Sequence, residues 1–334
     1  MRIELKCKLS GAGKIALGVG ASAGLGWLAV RGLDWGVVRD SLEDVSPSLL
    51  LLSVAIFMFA SYLRALRWRV LFLDDQVSAW RLFVVQNEGI GLNNVVPIRV
   101  VGEPTQIAVL SYRDGIKTAT AVATLGMERA IDVVASTLIL AVAFFLVPEM
   151  RNFTLFVWGA VGFAIAMVVA LRLVAWGTDA WSFIHRFSFV SAFAVAVRDL
   201  VNQPVRLALS MSLSVLYWLL VGVTAWLVAK SVDLPISPMT ATLVIMATIF
   251  FATTVPAAPS AIGTFEFAVI YVLEYFDVTR ESSFGFAVLT HVVFFLPPTI
   301  IAAVFLPREG IVSLSRIRGL ATRGSGVEGV RGQA

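Results

Sequence analysis

Three charged residues interrupt an otherwise apolar run in the middle of the chain: Glu128, Arg129 and Asp132. On a helix Glu128 and Asp132 lie one turn apart on one face, and Arg129 reaches Asp132 at the i, i+3 spacing. At the centre of a bilayer each would cost about 2.5–3.5 kcal/mol, so none of them faces lipid. Two readings stay open: a structural ion cluster that locks this helix against its neighbours, or a part of a polar pathway with a role in proton coupling.

Two further groups of polar residues sit where apolar segments break. The first holds Glu88, Asn93, Asn94, Arg99 and Glu103, with Pro97 and Gly102 at the break. In Gly102-Glu103-Pro104 the glycine permits a sharp turn, and proline suits the first turn of a new helix. The second break carries Pro256, Pro259 and Gly263, followed by Thr264, Phe265 and Glu266. Two half-helix N-termini with unpaired amides would suit an anion, with Arg99 as a further contact. Glu103 and Glu266 would alternatively satisfy those amides themselves, as acids of a first helical turn. Among the buried candidates, Glu88, Glu103, Glu128, Asp132 and Glu266 outnumber Arg99 and Arg129. So many carboxylates do not stay ionised cheaply in a low dielectric, which points to a protonated acid and proton-linked transport.

Other chemistry has little to stand on. With Cys7 as the single cysteine an intramolecular disulfide and a cysteine-rich metal site are both excluded, and His185 and His291 are the only histidines. No metal, no cofactor and no catalytic residue is expected. Asp74-Asp75 would suit a metal-dependent glycosyltransferase, but a solvated loop accounts for them better. Asn152-Phe153-Thr154 matches a glycosylation acceptor at the membrane edge. Phosphate-binding glycine loops, nucleophile elbows and zinc-protease helices do not occur.

The elements that must position these residues follow from composition. Of 334 residues, 58% are hydrophobic and 14% charged, far from the roughly 45–50% and 25% of soluble domains. The apolar surface must face lipid. The fold class is therefore an all-α polytopic membrane protein. Six transmembrane helices are read at 15–30, 48–63, 118–147, 154–173, 207–229 and 284–306, since about 20 helical residues cross the hydrocarbon layer. The small residues Ala21-Ser22-Ala23 resemble a cleavage site, but they fall inside the first apolar run, which reads as an uncleaved span.

Segments 82–110 and 240–276 are read as re-entrant helical hairpins, because proline frees carbonyls that hydrocarbon cannot satisfy. With an inner N-terminus, twenty Lys and Arg fall in inner regions and five in outer ones, which the positive-inside rule reads as N-in and C-in. That count takes Arg64, Arg67 and Arg69 as inner-loop charges. Residues 15–147 and 148–306 then form the two halves of an inverted repeat, each with one hairpin. Paired interrupted segments in corresponding positions point to a binding site at the midplane. Residues 177–204 read as an amphipathic interfacial helix, 1–14 as a cytoplasmic N-terminus, and 307–334 as a disordered, cytoplasmic tail. Trp27, Trp35, Trp68, Trp80, Trp176 and Trp226 lie near span ends and read as interface anchors. The formal charge of +4 is spread over span ends, where anionic lipid attracts it, so nucleic acid is not expected as a partner.

These motifs resemble the lysylphosphatidylglycerol synthase transmembrane-region family, flippase-like proteins that also occur without a synthase domain. The likeness rests on Leu63-Arg64-Ala65-Leu66-Arg67-Trp68, on Pro97-Ile98-Arg99 with Gly102-Glu103, on Glu128-Arg129 with Asp132, and on Pro259 with Gly263 and Glu266. It covers residues 10–310. Two positions depart from the family pattern: Gln106 replaces a basic residue, and Pro259-Ser260-Ala261 replaces a Pro-Gly-Gly turn. The soluble aminoacyl-transferase domain of the family is not expected here. The resemblance implies translocation, at the cell membrane, of a lipid or a lipid-linked anionic headgroup. Asn93, Asn94, Arg99, Glu103, Arg129 and Glu266 would then be substrate contacts, while Glu88, Glu128 and Asp132 would serve proton coupling or a structural cluster. Expected partners are membrane lipids, with a lipid-linked saccharide or an aminoacyl lipid as candidate cargo, and a second copy or a partner enzyme as candidates for assembly. The rival readings are a membrane glycosyltransferase or lipid-modifying enzyme, and a non-catalytic partner in glycolipid synthesis.

Overall fold

The computed structural model describes residues 11–43, 45–73, 77–96, 101–180, 188–255 and 257–310. Pro97, Arg99, Pro256, Asp74, Asp75, His185 and the tail beyond 310 lie outside the described residues. Within them the chain is helical, with no strand. In order, the helices are α1 (Gly11–Val30), α2 (Trp35–Glu43), α3 (Pro47–Leu71), α4 (Ala79–Val95), α5 (Gly102–Tyr112), α6 (Thr118–Leu146), α7 (Thr154–Ala180), α8 (Ser188–Val201), α9 (Pro204–Ser231), α10 (Pro238–Thr254), α11 (Thr264–Glu274) and α12 (Arg280–Phe305).

Local chemistry sets the boundaries. Ser78 and Ser237 each accept a backbone N–H in the first turn of the helix that follows, at 3.1 and 3.0 Å, and Pro47, Pro204 and Pro238 occupy first positions where no amide donor is needed. α3, α6, α7, α9 and α12 are long and apolar enough to cross a bilayer. α1 and α2, bent by 87° at the turn between them, make a sixth candidate when taken together. α7 exposes Leu155, Phe163 and Ile165 by 60% or more, as a helix that borders lipid does.

α3 and α9 pack along their length and form the central pair. Around them the two parts of the chain repeat one element order: a long helix, a short one, a long one, two shorter arms that pack on each other, and a final long helix. The packing recurs with it. α3 meets α4 as α9 meets α10, α5 meets α6 as α11 meets α12, and α2 meets α12 as α8 meets α6. One pairing is strongly unequal: α4 lies tightly against α12, while α10 barely touches α6. A Cβ on Gly91 of α4 would collide with Pro298 O and Ala302 Cβ of α12, so glycine permits this close approach.

Three features differ from the sequence expectation. α3 continues past position 63 to Leu71, so Arg64 and Arg67 belong to a helix and are 9% and 0% exposed rather than loop charges. Apolar and small residues surround them at helical spacing, and the helix has no reason to stop before Phe72. Trp68, read as an interface anchor, is 1% exposed and its indole donates to Thr124 Oγ1 at 3.3 Å. Finally, α7 runs through Ala180 before α8 begins at Ser188, within the segment read as one interfacial helix.

Candidate functional site

The buried charges meet where α3, α6 and α9 cross. Arg64 Nε lies 3.0 Å from Glu128 Oε1, and an Arg67 terminal nitrogen lies 2.5 Å from the same oxygen. Arg67 also pairs with Asp132 and donates to Ser214 Oγ of α9 at 2.8 Å. The ring of Tyr217 lies beneath both guanidinium groups, 5.7 and 5.8 Å from them. Two arginines therefore face two carboxylates, and their mutual neutralisation makes so dry a cluster tenable. The sequence analysis counts Arg64 and Arg67 as inner-loop charges and as part of the family motif, not as site residues, because they stand beside the further basic residue Arg69. Their i, i+3 spacing inside an uninterrupted helical pattern was the available signal.

Arg129 points to a different environment. Its guanidinium lies 3.3 Å from Glu103 Oε1 in the first turn of α5, and the two side chains are 42% and 41% exposed. Asp132 Oδ2 is 4.0 Å away and links this pair to the buried cluster. Asn93 closes the break between the arms by accepting the Gly102 N–H at 2.8 Å. A Cβ at Gly102 would collide with Asn93 and with Gly89 O, so the hairpin arms come this close only because position 102 is glycine. The Asn94 side-chain amide donates to Phe295 O at 3.2 Å and to Thr299 Oγ1 at 3.0 Å, both on α12.

The second pair of arms has its own acid. Glu266 Oε2 accepts the Gly263 N–H at 2.6 Å, while Oε1 lies 2.5 Å from His291 Nδ1 on α12. Gly263 has a φ of +82° and its Cβ position is filled by α1, near Ser22 O and Gly26. Ser260, in the short 3-10 turn Pro259–Ala261, donates to Asn94 O at 2.9 Å, so the breaks of the two hairpins touch.

Glu88, in α4, is 0% exposed, and among the described residues no N–H or hydroxyl group donates to its carboxylate, whose side-chain partner is the carboxyl group of Glu309. Its charged neighbours are Glu309, Arg81 and Asp114. These form a second network, in which Arg81 contacts Glu309 at 2.6 Å and Asp114 at 3.0 Å, and Arg113 contacts Glu309 at 3.0 Å. This network pins the start of α4 and the end of α5 to the residues following α12. Among the described residues no three His, Cys, Asp or Glu side chains converge as metal ligands.

Of the expected contacts, the structure brings Glu103 and Arg129 together, and through Asp132 joins them to Glu128. It keeps Glu266 apart on His291, and places Asn93 and Asn94 at the junction of the two breaks. The family model described as the lysylphosphatidylglycerol synthase TM region matches residues 15–302. No curated protein and no solved structure matches the chain.

Proposed function

Because the chain belongs to the lysylphosphatidylglycerol synthase transmembrane-region family, we propose that it is a flippase-like transporter that moves a lipid, or a lipid-linked anionic headgroup, across the bilayer. One observation carries this reading: Arg129 stands twelfth in a 29-residue apolar helix and yet keeps 42% of its side chain exposed. A cation at that depth does not tolerate hydrocarbon, so its exposed surface borders a polar cavity. Arg129 contacts phosphate, with Arg99, which precedes its partner Glu103 by four residues in sequence, as a second contact. Asn93 and Asn94 line the headgroup path, and Glu103 holds Arg129 until cargo replaces it.

In this reading the two hairpins enter the membrane from opposite faces, the N-terminus is cytoplasmic, and the tails of the lipid stay in the bilayer while its headgroup passes. The two repeating sets of helices rock about the α3–α9 pair. Support comes from the recurrence of the packing and from the unequal closure of α4 on α12 and α10 on α6.

The test is movement of a fluorescent anionic phospholipid in proteoliposomes, followed by quenching of the outer leaflet. The protein is expected to speed the exchange, and an Arg99→Ala, Arg129→Ala double variant to lose most of that gain. Equal rates for variant and wild type would overturn the assignment. Absence of lipid movement together with glycosyl or aminoacyl transfer to a lipid acceptor would favour the enzyme reading instead.

A further inference from the structure

The repeat relates two ion pairs that differ in one property. Arg129 lies eleven residues after the first residue of α6, and His291 lies eleven residues after the first residue of α12. Each faces a glutamate in the first turn of the preceding helical arm: Glu103 of α5 and Glu266 of α11. Both pairs thus tie the second arm of a hairpin to the long helix that follows it. One cation, an arginine, is permanent; the other is the side chain whose charge ordinarily changes between pH 5 and 8.

The two pairs also differ in state. Glu103 and Arg129 are 41% and 42% exposed and 3.3 Å apart, on the side where α10 and α6 barely touch. Glu266 and His291 are each 12% exposed and 2.5 Å apart, on the side where α4 lies tightly on α12. We infer that Glu266 and His291 form a proton-binding latch that holds the second hairpin closed against α12, the titratable counterpart of the Glu103–Arg129 pair.

The physical case rests on what a proton changes there. With an imidazolium on His291, the carboxylate of Glu266 has a cation at contact distance, and the rings of Phe265 and Phe295, tilted against the imidazole with centroids 5.0 and 4.2 Å away, shield the pair from solvent. Without the proton, a largely buried carboxylate keeps only neutral donors, and burying it costs more. The effect reaches the centre of the protein. The other oxygen of Glu266 holds Gly263, and three residues before it Ser260 contacts Asn94 of the first hairpin.

Competing charges lie elsewhere on the elements packed against α12. On α3, Arg64 and Arg67 are held by Glu128 and Asp132. On α4, Arg81 and Glu88 neighbour Glu309, eighteen residues and about 27 Å of helix beyond His291. On α2, which meets the first turns of α12 through Ser41 and Leu42, Arg39 pairs with Glu43, and both, with Asp40, are exposed. On α11, Glu274 pairs with Arg280. Arg206 and Lys230 stand at the two ends of α9. Among the described residues, Glu266 is the ion-pair partner of His291.

This inference rests on the transport reading for its purpose but not for its test. Ala287, buried in α12, lies one turn from His291 on the same face. In a Cys7→Ala background, Ala287→Cys is labelled with a maleimide in proteoliposomes at pH 5.5 and pH 8, each rate normalised to the unfolded protein at the same pH. Labelling at pH 8 is expected to be at least fivefold faster than at pH 5.5. His291→Arg is expected to stay slow at both values, and His291→Gln and Glu266→Gln to be fast at both. Equal normalised rates in the parent, or a pH dependence that survives in His291→Gln, would overturn the latch. Lipid movement measured in the same vesicles separates the two ideas: a pH-gated thiol without lipid exchange leaves the latch standing and sinks the transport reading, and the reverse result does the opposite.

Discussion

Ser260, in the turn of the second hairpin, donates a 2.9 Å hydrogen bond to the backbone carbonyl of Asn94, where the first hairpin breaks. Residues 166 positions apart in sequence thus join the two interrupted segments at one point. The Asn94 side chain simultaneously binds Phe295 O and Thr299 on α12. Ser260→Ala removes the bridge alone, and the expected loss is about 0.6–1 kcal/mol, the scale of interhelical hydrogen bonds in membrane proteins. Thermal unfolding followed by size-exclusion chromatography reads it. A midpoint equal to that of the parent would show that the bridge contributes nothing to stability.

The buried arginines behave differently from surface ones. Arg67→Met leaves Glu128 and Asp132 short of one cation in a site with no exposure at position 67, and the expected cost is about 3–5 kcal/mol. Arg39, in an exposed i, i+4 pair with Glu43, serves as the control, and its replacement by Met is expected to cost under about 0.5 kcal/mol. Comparable unfolding midpoints for the two variants would contradict the ion network.

Glu103 and Arg129 separate stability from transport. Because both are about two-fifths exposed, breaking the pair with either Gln substitution should change stability by less than about 1 kcal/mol. On the proposed transport reading, their effects on anionic-lipid movement are expected to differ. Arg129→Gln, which would remove the proposed phosphate contact, is expected to slow exchange about tenfold, equivalent to ~1.4 kcal/mol on the barrier, whereas Glu103→Gln, which frees Arg129, is expected to leave exchange equal or faster. Equal slowing by both variants would argue that only the pair, and not the arginine, matters.

The turn Pro259–Ala261 carries two non-glycine residues in the left-handed region, Ser260 at φ 56° and Ala261 at φ 57°. The family resemblance implies glycines at these two positions, and the positive φ angles are ones that glycine adopts without steric cost. Ala261→Gly relieves about 1 kcal/mol of steric cost, offset in part by the greater freedom of glycine in the unfolded chain. A modest rise in unfolding midpoint is expected. Gly263→Ala, at φ +82° and against α1, is expected to lower it. The reverse order would disprove the assigned turn geometry.

Most of the architecture was open to inspection in the sequence because helix formation and membrane insertion are local. Apolar runs of sufficient length locate α3, α6, α7, α9 and α12, and Pro97, Pro259, Gly102 and Gly263 mark the interruptions, because proline and glycine act on their own backbone wherever the chain goes. The short helix α2 was missed, since nine residues with mixed polarity resemble a loop. Pairing could not be read in this way. Arg64 and Arg67 contact Glu128 across 64 and 61 positions, and Glu266 meets His291 across 25 positions by the way α11 lies on α12. An ion pair between helices depends on crossing geometry and on which faces meet, and neither is written in the local pattern of any one helix. The sequence by itself therefore determined which helices are long and apolar enough to cross the membrane and where segments break, whereas only the tertiary structure decided that Arg64 and Arg67 are buried within α3, which charges neutralise one another and which side chains stay exposed.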